Sequence, residues 1–592
     1  MKPYLTTFLF LCLALAGCDS LDQEPEATVT GSAVFSNERG LELYANSFYD
    51  VLPTANDIVR GDAMADYAAR TQVPDFLLPG AFSARQSSGW DWRPLRNINY
   101  FLANNNNPAV APAVRNHYRG LARFFRAWFY FDKVKRFGDV PWIGKPQSVD
   151  DPTLYNGRDP RTLVMDSVLA DLNFAIKNIT TTADNSRSLI TKQTAAAFKS
   201  RVCLFEGTFR KYQTGYGLTG SANQWLTEAA TAAEQVMTTG GFSLNAAGGT
   251  DRAYRQVFTS QAPVASEVIL AAVSDPALSV YNDANWWWTS ATYGSRVSLI
   301  RTFVNTYLNI DGTPFTSKAG YETMPFAQEV KGRDKRLQQT IRMGDYRRTN
   351  GNATEAAPPV FSYTYTGYQP IKLTLDDTYY DGGTRNINSL PIIRYAEVLL
   401  NYAEARAELG TFSNADWVKT IGALRQRAGI TGGLAAKPTV ADAYLQTNYF
   451  PGISDAALLE IRRERGIELV LEGFRFDDII RWRRGPLMEM IWNGFYVPAL
   501  NQPLDLNEDG KADVAFYQNT APTPPAAGVT YVNVSPTLNG RANPQQLKNG
   551  TSGELTWLAN VPRKWDDKFY LYPIPEADRL INPKLGQNPG WE

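Results

Sequence analysis

At 592 residues the chain can bury a large core or divide into several subdomains. Its 59 Lys plus Arg balance 59 Asp plus Glu, so no basic surplus points to nucleic acid and no acidic surplus to a solvating tail. The single histidine, His117, excludes a metal site with two or more His ligands and is the one histidine open to a catalytic triad.

Lys2 gives a short positive start, and Tyr4 to Ala16 forms an apolar stretch. That length suits a signal-peptide core and is short for a membrane span. The stretch ends in Leu15-Ala16-Gly17-Cys18, which is similar to a bacterial lipobox. Residues 1–17 are therefore read as a lipoprotein signal peptide and Cys18 as the lipidation site, where several acyl chains together anchor firmly. Residues 18–33 read as the lipidated Cys and a flexible tether, acidic after Cys18. The tether is similar to the segment that marks surface export in lipoproteins of Bacteroidota. With Cys12 and Cys18 assigned to this address, Cys203 alone remains, in a helix-like stretch, and reads as a buried, inert thiol.

Helical periodicity dominates residues 34–240. Val114, Tyr118, Leu121, Phe125, Trp128 and Phe129 recur at spacings of three and four, with Phe131, Val134 and Phe137 widening the stripe. Gly138 and Pro141 mark its stop. Further helices are predicted near 160–179, 190–210 and 223–239. From 241 to 390 Gly, Pro, Thr, Tyr and Asn predominate and apolar runs are short, as in Glu267 to Val273, so this region reads as loops with a few strands. Helical pattern returns over 391–484, at 393–410, 414–428 and 455–483. Residues 485–592 are irregular again. The fold expected is mainly α: helix hairpins that stack into a scaffold, beside a loop-rich part with short strands.

Gly215-Tyr-Gly-Leu-Thr-Gly220 matches a dinucleotide pattern, but it follows a helix where that mechanism needs a strand, so it reads as a connecting loop. Asp505, Asn507 and Asp509, then Gly510, Lys511 and Asp513, match the first nine positions of a calcium loop, with Lys511 offering its carbonyl. Phe516 stands where a bidentate Glu would, so a dockerin-like or isolated calcium loop with a structural ion competes with a plain acidic turn.

Two aromatic clusters have the make-up of a sugar site, since flat rings suit the C–H face of a sugar and Asn, Asp and Arg suit vicinal hydroxyls. The first is Arg85, then Trp90, Asp91, Trp92, Arg96 and Asn97. The second is Asp283, Asn285, Trp286, Trp287 and Trp288, with Tyr293 nearby. Core packing of Trp90 and Trp92 against the helices competes with the sugar role. In an extended segment the three adjacent tryptophans would face opposite ways, leaving at least one exposed or at an interface.

Near the C-terminus stand Arg394-Tyr-Ala-Glu397 through Glu404, Glu464-Arg-Gly-Ile-Glu468 through Trp482, Tyr572-Pro-Ile-Pro-Glu-Ala-Asp578 and Gln587-Asn-Pro-Gly-Trp591. Together with the lipoprotein start, these resemble the SusD/RagB family of outer-membrane nutrient-binding lipoproteins. The resemblance implies a scaffold of tetratricopeptide-like repeats with ligand loops packed on it. It also implies a lipid-anchored, non-catalytic protein at the cell surface that passes oligosaccharides to a SusC-like TonB-dependent transporter and needs no cofactor. The ligand positions above are matched to the family by local pattern. The Arg and Glu residues of the signature read as scaffold, with Arg465 near Glu468 and Arg394 near Glu397 on helical faces and ion pairs linking the two helices. Three rivals stay open: oligopeptide cargo as in the RagB branch, an extracellular glycosidase, and an adaptor whose tryptophans dock a barrel.

Overall fold

A computed structural model describes residues 34–290 and 294–592; the predicted signal peptide, Cys18, the predicted tether and Tyr293 lie outside the described residues. Helix α1, Arg93–Asn104, leads into α2, Pro112–Phe137. Each carries a proline in its first turn, where the missing N–H has no intrahelical partner to lose. The predicted face of α2 is buried from Tyr118 to Phe137, with Val114 half-buried. Gly138 ends the helix at φ 75°, where a Cβ would also stand 2.7 Å from Leu571. Helix α2 packs on α3, Arg161–Asn178, and α4, Lys192–Tyr212, packs on α5, Ala222–Thr239. The predicted glycine-rich loop is the connection between α4 and α5. Cys203 on α4 is fully buried, and burial pushes its thiol well up.

In the loop-rich region β1, Val268–Ala272, pairs antiparallel with β2, Leu390–Arg394, so both ends of the region are tied together at the scaffold. Between them lies the short helix α6, Ala284–Thr289. Helix α7, Tyr395–Glu408, follows β2 directly and packs on α4 and α5. The predicted helix at 414–428 forms over Asn414–Trp417 and Ala423–Arg427, joined by a π turn at Val418–Gly422.

The stretch 455–483 is two helices, α8, Ala456–Glu468, and α9, Arg475–Arg481. Between them Leu471 and Gly473 adopt φ 65° and 85°. Gly473 there packs backbone to backbone on Gly61, at which a Cβ would lie 2.6 Å from the Gly473 Cα. The C-terminal region holds a three-stranded antiparallel sheet. It is built from β3, Trp492–Val497, β6, Gln545–Leu547, and β7, Gly553–Trp557, in the order β6-β7-β3. A parallel pair, β4, Val514–Tyr517, and β5, Thr530–Asn533, lies between them in sequence. One hydrophobic core runs from Phe35 to Trp591, and a smaller cluster lies between α7, Trp417 and α8.

The signature carboxylates are buried and consumed by arginines. Glu468 accepts from Arg394 at 2.6 Å, from Arg336 at 2.8 Å and from Arg427. Glu472 accepts from Arg394 at 2.7 Å and from Lys372 at 2.6 Å. Glu404 accepts from Arg481 and from the Trp482 indole, both at 2.6 Å. The two signature segments are thus linked by Arg394 to Glu468 and Glu472 and by Glu404 to Arg481 and Trp482. The expected contacts within one helix are not the pairings made: Arg465 turns to Asp478 at 2.8 Å and Glu397 to Arg201 at 2.7 Å. Arg394 is extended, at the junction of β2 and α7, so helical spacing does not apply to it. In a dry interior each guanidinium takes whichever carboxylates share its cavity.

Candidate functional site

The two predicted aromatic clusters are placed differently. Trp90 and Trp92 lie edge to face, 5.3 Å apart, against α2. Trp90 meets Phe137 at 5.0 Å and Trp92 meets Phe129 at 5.5 Å. Lys133 caps the pair, donating to Gly89 O and lying 5.8 Å over the Trp92 ring. The polar members disperse. Arg85 reaches Glu576 at 2.8 Å, Asp91 pairs with its neighbour Arg93 at 2.7 Å, and Asn97 donates to Ser47 Oγ at 2.8 Å. Arg96 donates to Gln147 O at 2.7 Å beside a cleft of about 250 Å³ next to Trp92. These six residues thus form a packed junction with scattered polar tips.

The second cluster is helical, not extended: the three tryptophans follow one another within the six-residue helix α6. Adjacent side chains are then about 100° apart, so Trp288 turns into the core at 2% exposure while Trp286 and Trp287 stay half-buried. Asp283 and Asn285, expected to meet ligand hydroxyls, are buried and engaged. Asp283 takes both Arg60 Nη1 at 3.0 Å and Nη2 at 2.6 Å. Asn285 is fully buried, donating to Leu375 O at 2.9 Å and Asp381 Oδ1 at 3.0 Å. Their work is to fix α6, which removes them and Trp288 from direct ligand contact.

Two features here were missed in the sequence. Arg60 lies over the Trp287 ring at 4.2 Å, a cation–π contact that props the indole. The turn at Thr378–Asp381 is held to α6 through Asp381, which Arg348 also clamps with two bonds at 2.8 Å. This turn presents Tyr379, 62% exposed, against Tyr380 at 5.3 Å, with Arg385 over the Tyr379 ring at 5.0 Å. The tandem Tyr379-Tyr380 among Asp and Gly was the available signal; nothing near Arg60 in sequence announces it. The result is a surface with rings from two segments and arginines beneath and beside them. The chemistry this surface offers is stacking and hydrogen bonding.

A model of the SusD family matches residues 253–591. The chain belongs to that family. A second family model, described as starch-binding and associating with the outer membrane, matches residues 90–204. Among curated SusD relatives, a SusD-like protein P2 of Formosa agariphila is 26% identical over 82% of this chain and 92% of its own length. A SusD-like protein of Bacteroides ovatus is 22% identical over 100% and 98%. Two solved structures from Bacteroides fragilis share the fold. A SusD-like protein superposes with TM-score 0.67 at 20% identity, covering 95% of this chain and 99% of that one. A SusD-like carbohydrate-binding protein superposes with TM-score 0.65 at 19% identity, covering 93% and 99%. The expected family and mainly helical fold are thereby established.

In this SusD-family chain the calcium-like loop closes on its own amides. Asp505 accepts from the N–H of Glu508 at 2.6 Å and of Gly510 at 2.8 Å, and Asp513 from that of Leu506 at 2.8 Å. Asn507 and Asp509 accept from Asp509 N and Lys511 N at 3.4 and 2.9 Å. Burial, with Asp505 and Asp509 nearby, pushes the Asp513 carboxyl up. Phe516 is buried in β4, so no twelfth ligand comes from it. Among the described residues no group of three or more His, Cys, Asp or Glu is gathered as a metal ion would need.

Proposed function

We propose that this protein captures oligosaccharides at the cell surface and passes them to a SusC-like TonB-dependent transporter. Cys18 would supply the lipid anchor to the outer membrane, and the binding needs no cofactor. The observation that carries the reading is the pair Trp286 and Trp287, held half-exposed by a buried polar clamp. A helix that buries Asp283 and Asn285 in order to hold two indoles at the surface is built to present rings. Tyr379 and Tyr380 extend that surface. Rings stack on sugar C–H faces, and Arg385 beside Tyr379 donates to hydroxyls. The starch-binding description of the family model over 90–204 and the carbohydrate-binding name of the Bacteroides fragilis structure support the same class of cargo. Modest affinity suits the role, since a ligand held too tightly is not handed on.

The test is a binding screen of the detergent-solubilised full chain against neutral oligosaccharides and oligopeptides side by side. Glycan binding that Trp286→Ala and Trp287→Ala abolish, in protein with an unchanged unfolding temperature, supports the reading. Peptide-only binding moves the chain to the oligopeptide branch. Binding of neither leaves an adaptor, and cleaved product after long incubation would make it a glycosidase.

A further inference from the structure

A second group of rings lies beside Arg70 and Arg563, neither of which meets a carboxylate among the described residues. A two-residue ladder pairs Ala68 with Leu299 and Ala69 with Ser298. Past the ladder's end, which leads into Arg70, Thr71 N–H donates to Ser295 O at 3.2 Å. Against this end lie Tyr365 and Trp557, stacked with centroids 3.8 Å apart and 11° from parallel. The Trp557 indole donates to Arg70 O at 2.7 Å, and the Arg296 guanidinium stands 5.8 Å from the Tyr365 ring. Trp557 on β7 is the cross-strand partner of Trp492 on β3, so the two side chains share a face of the sheet. Arg563 lies over the Trp492 ring at 4.5 Å.

In the scaffold every signature arginine is answered by an acid. Here Arg563 forms neither an ion pair nor a hydrogen bond among the described residues, and its Nη1 is buried with no acceptor. Arg70 gives one Nη to Ala63 O at 2.8 Å, leaves its Nε buried without an acceptor, and meets no carboxylate among the described residues. Burial alone pulls both below the ordinary arginine range, Arg563 to about 10. Both remain partly exposed. A half-buried cation with no counter-charge is a cost to the folded chain that an incoming anion offsets.

We propose that Arg70 and Arg563, with the half-buried Trp557, bind the oxyanions of acidic sugar units, carboxylates or sulfate esters. The guanidinium fork matches either group with paired hydrogen bonds, and the half-buried Trp557 ring, backed by buried Tyr365, takes the sugar's apolar face. The inference rests on the glycan reading only for the kind of molecule that carries the anion.

The experiment is calorimetric titration of the detergent-solubilised full chain with four probes: an oligogalacturonate, its neutral methyl ester, a sulfated carrageenan oligosaccharide and its desulfated form. At low salt at least one charged probe is expected to bind about tenfold more tightly than its neutral counterpart, the effect of one charge-assisted hydrogen bond. That advantage falls as ionic strength rises, and the two pairs tell carboxylate from sulfate. Arg563→Gln and Arg70→Gln should each remove most of it without lowering the unfolding temperature. Arg563→Lys, which keeps the charge and loses the fork, should retain part of it. Equal binding of charged and neutral forms, or discrimination that survives both Gln changes, overturns the anion site and leaves the Trp286 and Trp287 test standing. If no glycan binds at all, inorganic sulfate decides: tryptophan quenching that Arg563→Gln abolishes upholds the site, and no quenching overturns it.

Discussion

Arginine does opposite work in two regions of this molecule. Between α7, α8 and α9 it is buried beside Glu468, Glu472 and Glu404, and the charges cancel within the fold. Around Trp557 and Trp492, Arg563 lies against a ring and Arg70 against a carbonyl, with no acid at hand among the described residues. The first arrangement costs desolvation that its own partners return, so nothing outside the chain is needed. The second leaves hydrogen-bonding capacity unspent, as a surface that meets ligands requires. Residue type alone therefore says little about role; what backs the residue decides it.

The largest effect that separates these regions is expected from Glu468→Gln. It leaves Arg394, Arg336 and Arg427 under-compensated in the interior, and should cost about 3–5 kcal/mol in denaturant unfolding. A cost under about 1 kcal/mol would mean that water reaches the network.

Acid should act next. Burial would push the Glu404 carboxyl up, but Arg481 and its neighbours outweigh burial and hold it at about 2, below its ordinary 4.5. A depressed carboxyl contributes its stability fully above about 4.5 and loses it as pH falls toward about 2. A pH series of unfolding free energies should therefore drop by roughly 3 kcal/mol from this group across that window. Glu404→Gln should flatten the drop.

Trp90→Ala, on the junction with α2, should cost about 2 kcal/mol as a partly buried large-to-small change. Trp287→Ala, on the presented face, should cost under about 1 kcal/mol and weaken glycan binding about tenfold by titration. If Trp90→Ala spares stability and removes binding, the two aromatic clusters exchange roles.

The smallest effect is expected from millimolar calcium, which should move the unfolding temperature by less than about 1 °C while Asp505 stays bound to amides. A rise of several degrees that Asp505→Asn removes would restore calcium ligation to the loop.

Much of the scaffold is legible in the chain. The apolar stripe of α2, its stop at Gly138 and the signature segments fix helix positions through local rules of spacing and capping, which need no tertiary knowledge. The break of 455–483 at Leu471 and Gly473 was not visible, because a close backbone approach of Gly473 to Gly61, far away in sequence, sets it. The site was half legible. Trp286 and Trp287 stood out by composition, whereas Arg60 and the Thr378–Asp381 turn reach α6 only through Asp283, Asn285 and Asp381.

The sequence by itself determined the helical scaffold, the family and the candidate address, since each is written in contiguous motifs and periodicities. Tertiary structure alone decided which tryptophans pack and which are presented, and which arginines are neutralised. Those outcomes depend on burial and on partners brought together from distant segments, and neither quantity is a property of a local stretch of chain.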